Sequence, residues 1–486
     1  MIWQILILII YTLSLSVILI FSLGQTYLIF SYLKSKRKED VIPVLPLDVP
    51  KVTIQLPLYN ELYVVERLIN SVCELNYLKS KLEIQVLDDS NDDSLILTRE
   101  IIHQKQTEGF DIVHVKRDKN IGFKAGALQF GLEKAKGEFV AIFDADFLPE
   151  KDFLLKLIPY FNSSEIGMVQ SRWGHINQDY SLLTKVQGFG LDGHFTIEQT
   201  GRNEAGLFMN FNGTAGIWRK ECIVAAGGWQ HDTLTEDLDL SYRAQLKGWK
   251  FKYVENVITP AELPVESNAL RSQQHRWTKG AIETSKKMVK EIWRADVGLK
   301  KKIFATLHLM NSYVFIFVLL TSILSVPVLF IKNQSEIPLI YFQLLSIFLL
   351  GFLIVSIFYL IASISKKESL SKFAKLFPMF LSVSMALSFH NSIAVLEGLF
   401  GFKSDFIRTP KFNITKLKDN FKSNIYVKRS LSKSFYIELF FCFYFFSGLI
   451  AAFHFHDFGL FPFHLMLFTG FSTLTFYALK HSWNRV

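Results

Sequence analysis

The sequence Gly137-Glu-Phe-Val-Ala-Ile-Phe-Asp-Ala-Asp146 holds an apolar run, 139–143, that ends in two aspartates one residue apart. A short apolar run bounded by polar residues reads as a buried strand. Similar runs lie at 52–56, 83–87 and 112–115, with helical patterns between them, for example at 61–75 and 123–135. Strands alternating with helices predict an α/β fold, a mostly parallel sheet with helices on both faces. In such sheets ligands bind outside the carboxyl ends of the strands. Asp88, Asp89, Asp144 and Asp146 all fall at those ends, so a site is expected there.

Outward from this domain the composition changes. Residues 2–33 carry no charged side chain, and from about residue 303 long apolar stretches alternate with short basic ones. About 20 apolar residues span a bilayer as a helix. Five spans are expected, at 3–32, 304–331, 338–364, 434–454 and 459–480. The first is too long for the apolar core of a cleaved signal peptide and has no charge ahead of it, which predicts an uncleaved anchor. A Pro-containing linker, 41–50, follows it. Residues 269–297 place apolar positions beside Lys286, Lys287 and Lys290, with Lys300 just beyond, which predicts an amphipathic helix on the membrane surface.

The apolar segment 376–400 contains His390, Asn391 and Glu397, which are costly in lipid. Its neighbour 401–433 holds nine Lys or Arg against two Asp, the pattern of a cytoplasmic flank. A single crossing at 376–400 would put that basic stretch outside, so a re-entrant or interfacial element is expected. The organisation is then an N-terminal transmembrane helix (1–33), a cytoplasmic α/β domain (34–268), an interfacial amphipathic helix (269–300) and a C-terminal transmembrane region (301–486) with a cytoplasmic loop at 401–433.

The net charge of +9 gathers beside the apolar segments, at Lys34, Lys36, Arg37 and Lys38 and across 403–433. It therefore points to a lipid bilayer and not to nucleic acid. Cys73, Cys222 and Cys442 form neither a metal-type spacing nor a disulfide framework, as suits a domain facing the cytoplasm.

Several clusters carry chemistry, each with a plainer alternative. Asp144-Ala-Asp146 offers hard oxygen ligands for Mg²⁺ or Mn²⁺ together with substrate phosphates, but a strand ending in Asp is commonly a turn. Leu87-Asp88-Asp89-Ser90 repeats the arrangement, with capping of a helix at 92–107 as its alternative. Thr235-Glu236-Asp237 opens a helical run, where an acid serves either as a cap or as a general base. Gln273-Gln274-His275-Arg276-Trp277 puts an Arg suited to a diphosphate beside an indole suited to a sugar ring. Interfacial snorkelling is the alternative there.

Taken in order, Asp88-Asp89, Asp144-Ala-Asp146, Thr235-Glu236-Asp237 and Gln273-x-x-Arg276-Trp277 resemble the D, DxD, TED and QxxRW set of processive family-2 glycosyltransferases, which include cellulose, hyaluronan and chitin synthases. The strings Gly122-Phe-Lys-Ala-Gly-Ala-Leu128, Phe211-Asn-Gly-Thr-Ala-Gly216 and Gly248-Trp-Lys-Phe251 look closest to the plant cellulose-synthase-like mannan and glucan synthases. Phe406-Ile-Arg-Thr409-Pro-Lys411 is similar to the FxVTxK gating loop of cellulose synthases, with Arg408 in place of the usual Val.

The resemblance implies a GT-A-type domain that transfers a hexose with inversion from a nucleotide sugar to a growing β-linked polysaccharide. It implies that Asn60, Glu61, Asp89 and Lys124 lie near the nucleotide and that Asp144 and Asp146 bind the diphosphate with Mg²⁺ or Mn²⁺. Asp237 would be the base, with Glu236, Gln273 and Trp277 on the acceptor. Arg276 would hold the leaving diphosphate, and Thr409 and Lys411 would reach the donor. No motif fixes the base or the sugar: UDP-glucose and GDP-mannose both fit, and glucose is the first expectation. The expected location is a bacterial inner (plasma) membrane. Only six residues follow Lys480, so regulation by a cyclic-dinucleotide-binding domain would need another chain.

Two other readings remain. An enzyme adding one sugar to a lipid, similar to ceramide glucosyltransferases, would share the soluble fold and an Arg-Trp motif, and its acceptor would be a glycolipid. A non-catalytic transporter or receptor with a nucleotide-binding domain would not need the intact acidic set.

Overall fold

The computed structural model describes residues 1–38, 43–402, 408–421, 424–427 and 431–483. The first two residues of the expected linker and the first two of the loop string, Phe406 and Ile407, lie outside these residues.

A seven-stranded sheet forms the centre of the α/β domain, in the order β3-β2-β1-β4-β6-β5-β7. The strands are β1 (Val52–Leu58), β2 (Leu82–Asp88), β3 (Asp111–Val115), β4 (Phe139–Ile142), β5 (Ile166–His175), β6 (Gly216–Arg219) and β7 (Lys250–Ala261). β1, β2, β3 and β4 pair in parallel, β6 runs antiparallel to both its neighbours, and β5 and β7 are parallel. Six strands therefore point one way and β6 alone is reversed, which is the expected mostly parallel sheet.

Helices cover both faces, so the central strands are buried along almost their whole length. Their polar side chains pair within the sheet. Thr53 donates to Glu83 at 2.6 Å and Gln55 to Gln85 at 3.0 Å, which pairs these buried side chains across neighbouring strands. The helices expected at 61–75 and 123–135 appear as Val65–Cys73 and Phe123–Lys134.

Among the described residues, five helices are long and apolar enough to cross a membrane: Ile2–Ser35, Asn311–Gln334, Leu339–Ser365, Leu370–Phe400 and Ser434–His454. This set differs from expectation at three places. The expected span 304–331 breaks at Met310, separating a helix Leu299–Leu309 from the longer one. Phe461–Trp483, expected as a span, forms a helix packed on Ser434–His454 but is not in the apolar set.

The third difference is at 376–400. It is part of one continuous 31-residue helix, Leu370–Phe400, and two of its three costly polar residues find protein partners. His390 reaches Glu438 at 2.6 Å, and Glu397 reaches His275 at 3.0 Å and Lys279 at 3.4 Å. Both ends of this helix touch the α/β domain. Phe373, Phe377 and Phe380 surround Phe189 near one end, and Glu397 meets the helix Ser267–Arg294 at the other.

Candidate active site

The carboxyl ends of β1, β2, β4, β5 and β7 open on one side of the sheet, and the start of the reversed β6 opens there too. These ends, the helix Ser267–Arg294 and the segment Arg408–Lys411 enclose a cavity of about 260 Å³. Glu61, Asp89, Lys124, Asp144, Asp146, Glu236, Asp237, Gln273, Arg276, Trp277, Thr409 and Lys411 all line it. Residues spread over more than 350 positions of sequence thus meet at one place. Asn60 is the exception: it does not line the cavity but sits at φ +57° and pairs through its amide with Asn91, tying two strand ends together. Asp88 is also structural, buried and holding the Ser90 N–H and His114, each at 3.0 Å.

Lys124 is the centre of the charge network. Its ammonium donates to Asp144 at 2.5 Å and to the Gly213 carbonyl at 2.9 Å, and lies 4.0 Å from Glu236. Burial pulls the Lys124 pKa down, but the carboxylates of Asp144, Glu236 and Asp237 carry it above its ordinary value. Asp237 stands in the first turn of the helix Glu236–Leu246, where the Leu238 N–H donates to it at 2.8 Å. Burial and the neighbouring Glu236 push its carboxyl up to about 7, and burial raises Glu236 as well. An acid held near neutrality is suited to take a proton from a hydroxyl. Gly213, at φ +81°, lets the chain pass beside this carboxylate, since a Cβ there would lie 2.9 Å from Asp237 Oδ2.

The segment 408–413 closes the cavity. Arg408 grips Glu61 with two hydrogen bonds, at 2.9 and 2.6 Å. Arg276 donates to Thr409 at 2.8 Å, and Lys411 donates to Asp146 at 2.7 Å. Glu262 accepts the N–H groups of Phe412 and Asn413, both at 3.0 Å. Burial pushes Glu61 up to about 7 against the pull of Arg408, and burial lowers Arg276.

Among the described residues, no group of three or more His, Cys, Asp or Glu could by itself hold a metal ion. Asp144 and Asp146 supply two carboxylates, and a small hard cation would take its other ligands from bound phosphate and water. The residues fit a cation of that kind. Trp173 and His175 on β5 and Glu262 after β7 also line the cavity without having been singled out from the sequence, and Asn212, before β6, brings the string Phe211–Gly216 to it. Their shared signal is position at the same sheet edge, which becomes visible only once β5, β6 and β7 are placed.

Residues 50–280 match the family model described as glycosyltransferase like family 2. They form a family-2 glycosyltransferase domain. Over 274 residues the chain is 44% identical to a probable glucomannan 4-β-mannosyltransferase 4 from Oryza sativa subsp. japonica, covering 55% of this chain and 49% of that protein. Over 272 residues it is 42% identical to glucomannan 4-β-mannosyltransferase 2 from Arabidopsis thaliana, covering 55% and 50%. The chain spans about half the length of the curated relatives it matches. A mannosyltransferase from Pyrobaculum calidifontis, solved in complex with GDP-Man and Mn2+, superposes with a TM-score of 0.53 at 17% identity, over 79% of this chain and 100% of that one. That likeness establishes the GT-A-like fold. The glycosyltransferase domain contains the Asp, DxD, TED and QxxRW positions, while Arg408, Thr409 and Lys411 reach its cavity from outside it.

Proposed function

We propose that this chain is a membrane-embedded, inverting hexosyltransferase that extends a β-linked polysaccharide from a nucleotide sugar. The observation that carries the reading is the convergence of Asp144, Asp146 and Asp237 on one cavity, bounded by Gln273, Arg276 and Trp277. The mannosyltransferase names of the relatives favour GDP-mannose over the glucose donor expected first.

Asp144 and Asp146 hold the donor diphosphate with a divalent cation, Mg²⁺ or Mn²⁺. A cation bound there would supply positive charge to offset that of the leaving diphosphate. The Mn2+ in the Pyrobaculum enzyme supports a cation of this class. Asp237 accepts the proton of the acceptor hydroxyl as its oxygen attacks the anomeric carbon. The bond from that carbon to the diphosphate oxygen breaks on the opposite face, so an α-linked donor gives a β-linked product. Arg276 and Lys411 then face the departing negative charge. Glu61, Asp89 and Lys124 border the nucleotide end, and Glu236, Gln273 and Trp277 the acceptor end. Most of the rate comes from positioning and charge complementarity.

The glycosyltransferase domain faces the cytoplasm of, we propose, a bacterial inner (plasma) membrane. Lys36 and Lys38 in the flank of the first helix pair with Glu255 and Glu204 of the domain, at 3.0 and 2.5 Å. The basic segment after residue 400 reaches the same cavity, so the helix Leu370–Phe400 makes no net crossing. The helix Ser267–Arg294 lies at the interface between domain and membrane region.

Membranes containing the protein, given labelled GDP-mannose with Mn²⁺ or Mg²⁺, should form a polymer that a β-mannanase degrades, and labelled UDP-glucose given alone should form none. A lipid-extractable product carrying one sugar would replace the polymer reading.

A further inference from the structure

The membrane-surface role expected of 269–297 rests on Lys286, Lys287 and Lys290, but protein takes up two of the three. Lys286 donates to the carbonyls of Gly398 and Leu399, at 3.1 and 2.8 Å, and Lys287 pairs with Asp232 and Asp239, at 2.8 and 2.9 Å. The next helix, Leu299–Leu309, carries the pattern instead. It stands at the edge of the membrane region by two separate marks. It ends just before the membrane-crossing helix Asn311–Gln334. It also packs on the helix Ile2–Ser35, where Phe304 meets the Tyr27 ring at 4.8 Å and a Cβ at Gly24 would lie 3.2 Å from Leu307. Tyr27 lies eight residues, about 12 Å, along that helix from its end at Ser35, which sets the contact toward the bilayer from the basic flank at 36–38. The inner face of Leu299–Leu309 is closed, with Ala305 and Leu309 buried against Tyr242, Met288 and Ile292. Its outer face is open: Leu299 and Ile303 are exposed, and so is Trp293 just ahead of them.

Lys300 and Lys301 are exposed on this helix and Lys302 is half-buried. Among the described residues no carboxylate pairs with any of the three: Lys300 Nζ lies 4.3 Å from the Tyr27 ring centroid, and Lys302 donates to the Trp293 carbonyl at 3.0 Å. Lys36 and Lys38, by contrast, are each matched by a carboxylate of the α/β domain. Three successive lysines without counter-charge repel one another, and an anionic surface relieves that repulsion. Beside exposed Leu, Ile and Trp side chains, they give the composition of an element that lies on an anionic leaflet. We propose that the surface formed by Trp293, Leu299, Lys300, Lys301, Lys302 and Ile303 docks on anionic phospholipid. The ammonium groups meet the headgroup phosphates, and the apolar side chains enter among the acyl chains. The consequence reaches the cavity, because His308 on the same helix lies 2.7 Å from the hydroxyl of Tyr242, on the helix that opens with Glu236 and Asp237. Lipid held on the outer face thus braces the element that carries the proposed base. The inference rests on the chain's place in the membrane and not on its donor or product.

The test follows thermal unfolding of the full chain in detergent micelles supplemented with either phosphatidylglycerol or phosphatidylcholine. Phosphatidylglycerol should raise the melting temperature about 3 °C above the phosphatidylcholine value. In a variant carrying Lys300→Gln, Lys301→Gln and Lys302→Gln together, that difference should shrink to less than about 1 °C. In the unaltered protein the difference should also collapse in about 0.5 M NaCl, since salt screens charges that face water. Equal melting temperatures in the two lipids, a difference that the triple variant keeps, or one indifferent to salt would each overturn the surface. Sugar transfer is not read in these measurements, so a failure of the transfer reading leaves their outcome untouched.

Discussion

Asp237 is pulled two ways by its surroundings. Burial and Glu236 drive its carboxyl up to about 7, while Lys124 opposes them. A general base works only when unprotonated, so kcat/KM should fall about tenfold per pH unit on the acid side of neutrality. A pH–rate profile flat down to about pH 5 would contradict this. Asp237→Asn removes the base and should lower kcat by at least about a hundredfold. The same raised value has a cost in stability. A carboxyl whose folded pKa lies above its unfolded one binds its proton more tightly in the folded state. The protein therefore loses stability as pH rises from about 4, the unfolded value, through about 7. Asp237→Asn should consequently raise the melting temperature at pH 8 and change it little at pH 4. Thermal unfolding followed at both values checks the sign.

The helix Ser267–Arg294 is the element that joins the site to the membrane region. One face carries Gln273, Arg276 and Trp277 into the cavity, and Gly280 brings it against the residue preceding Glu236 and Asp237. A Cβ at Gly280 would lie 2.5 to 2.9 Å from atoms of Thr235. Gly280→Ala should therefore displace the acidic pair and cost about 1–3 kcal/mol in stability along with activity. Another face is fixed by Arg271, which donates to the fully buried Glu438 at 2.7 Å, where His390 also meets Glu438. Glu438→Ala leaves a buried guanidinium unpaired and should cost about 3–5 kcal/mol, read as a lowered melting temperature. Strands β1, β2, β3 and β4 were legible because each is an apolar run bounded by polar residues. β5, β6 and β7 were not delimited: β6 is four residues long, and β5 and β7 carry register shifts or irregular pairing. With them went Trp173, His175 and Glu262, whose place at the cavity depends on which strands lie side by side. The acidic and Arg-Trp residues were found because their order along the chain is distinctive. Asp88 looked like a ligand at that level, and only its contacts with Ser90 and His114 reveal its structural part.

At the scale of the whole molecule, the helix Leu370–Phe400 and the segment after it decide the topology. Composition rates this helix as able to cross, yet Phe189 and His275 of the same domain meet opposite ends of it. Lys411 and Arg408 then reach back to Asp146 and Glu61. A cysteine placed at Lys416 should react with an impermeant maleimide from the same membrane face as one placed at Glu100. Labelling from opposite faces would show a crossing at 370–400. On the proposed reading, Lys411 would have to leave Asp146 before the diphosphate and its cation could use that carboxylate. The central claim, however, concerns the reaction: a single displacement at the anomeric carbon, with Asp237 taking the acceptor proton. The most direct test follows the anomeric configuration of the new linkage by NMR, using donor labelled with ¹³C at C1. A purely β-linked product from the α-linked donor is the predicted result, and an α-linked product would contradict the account.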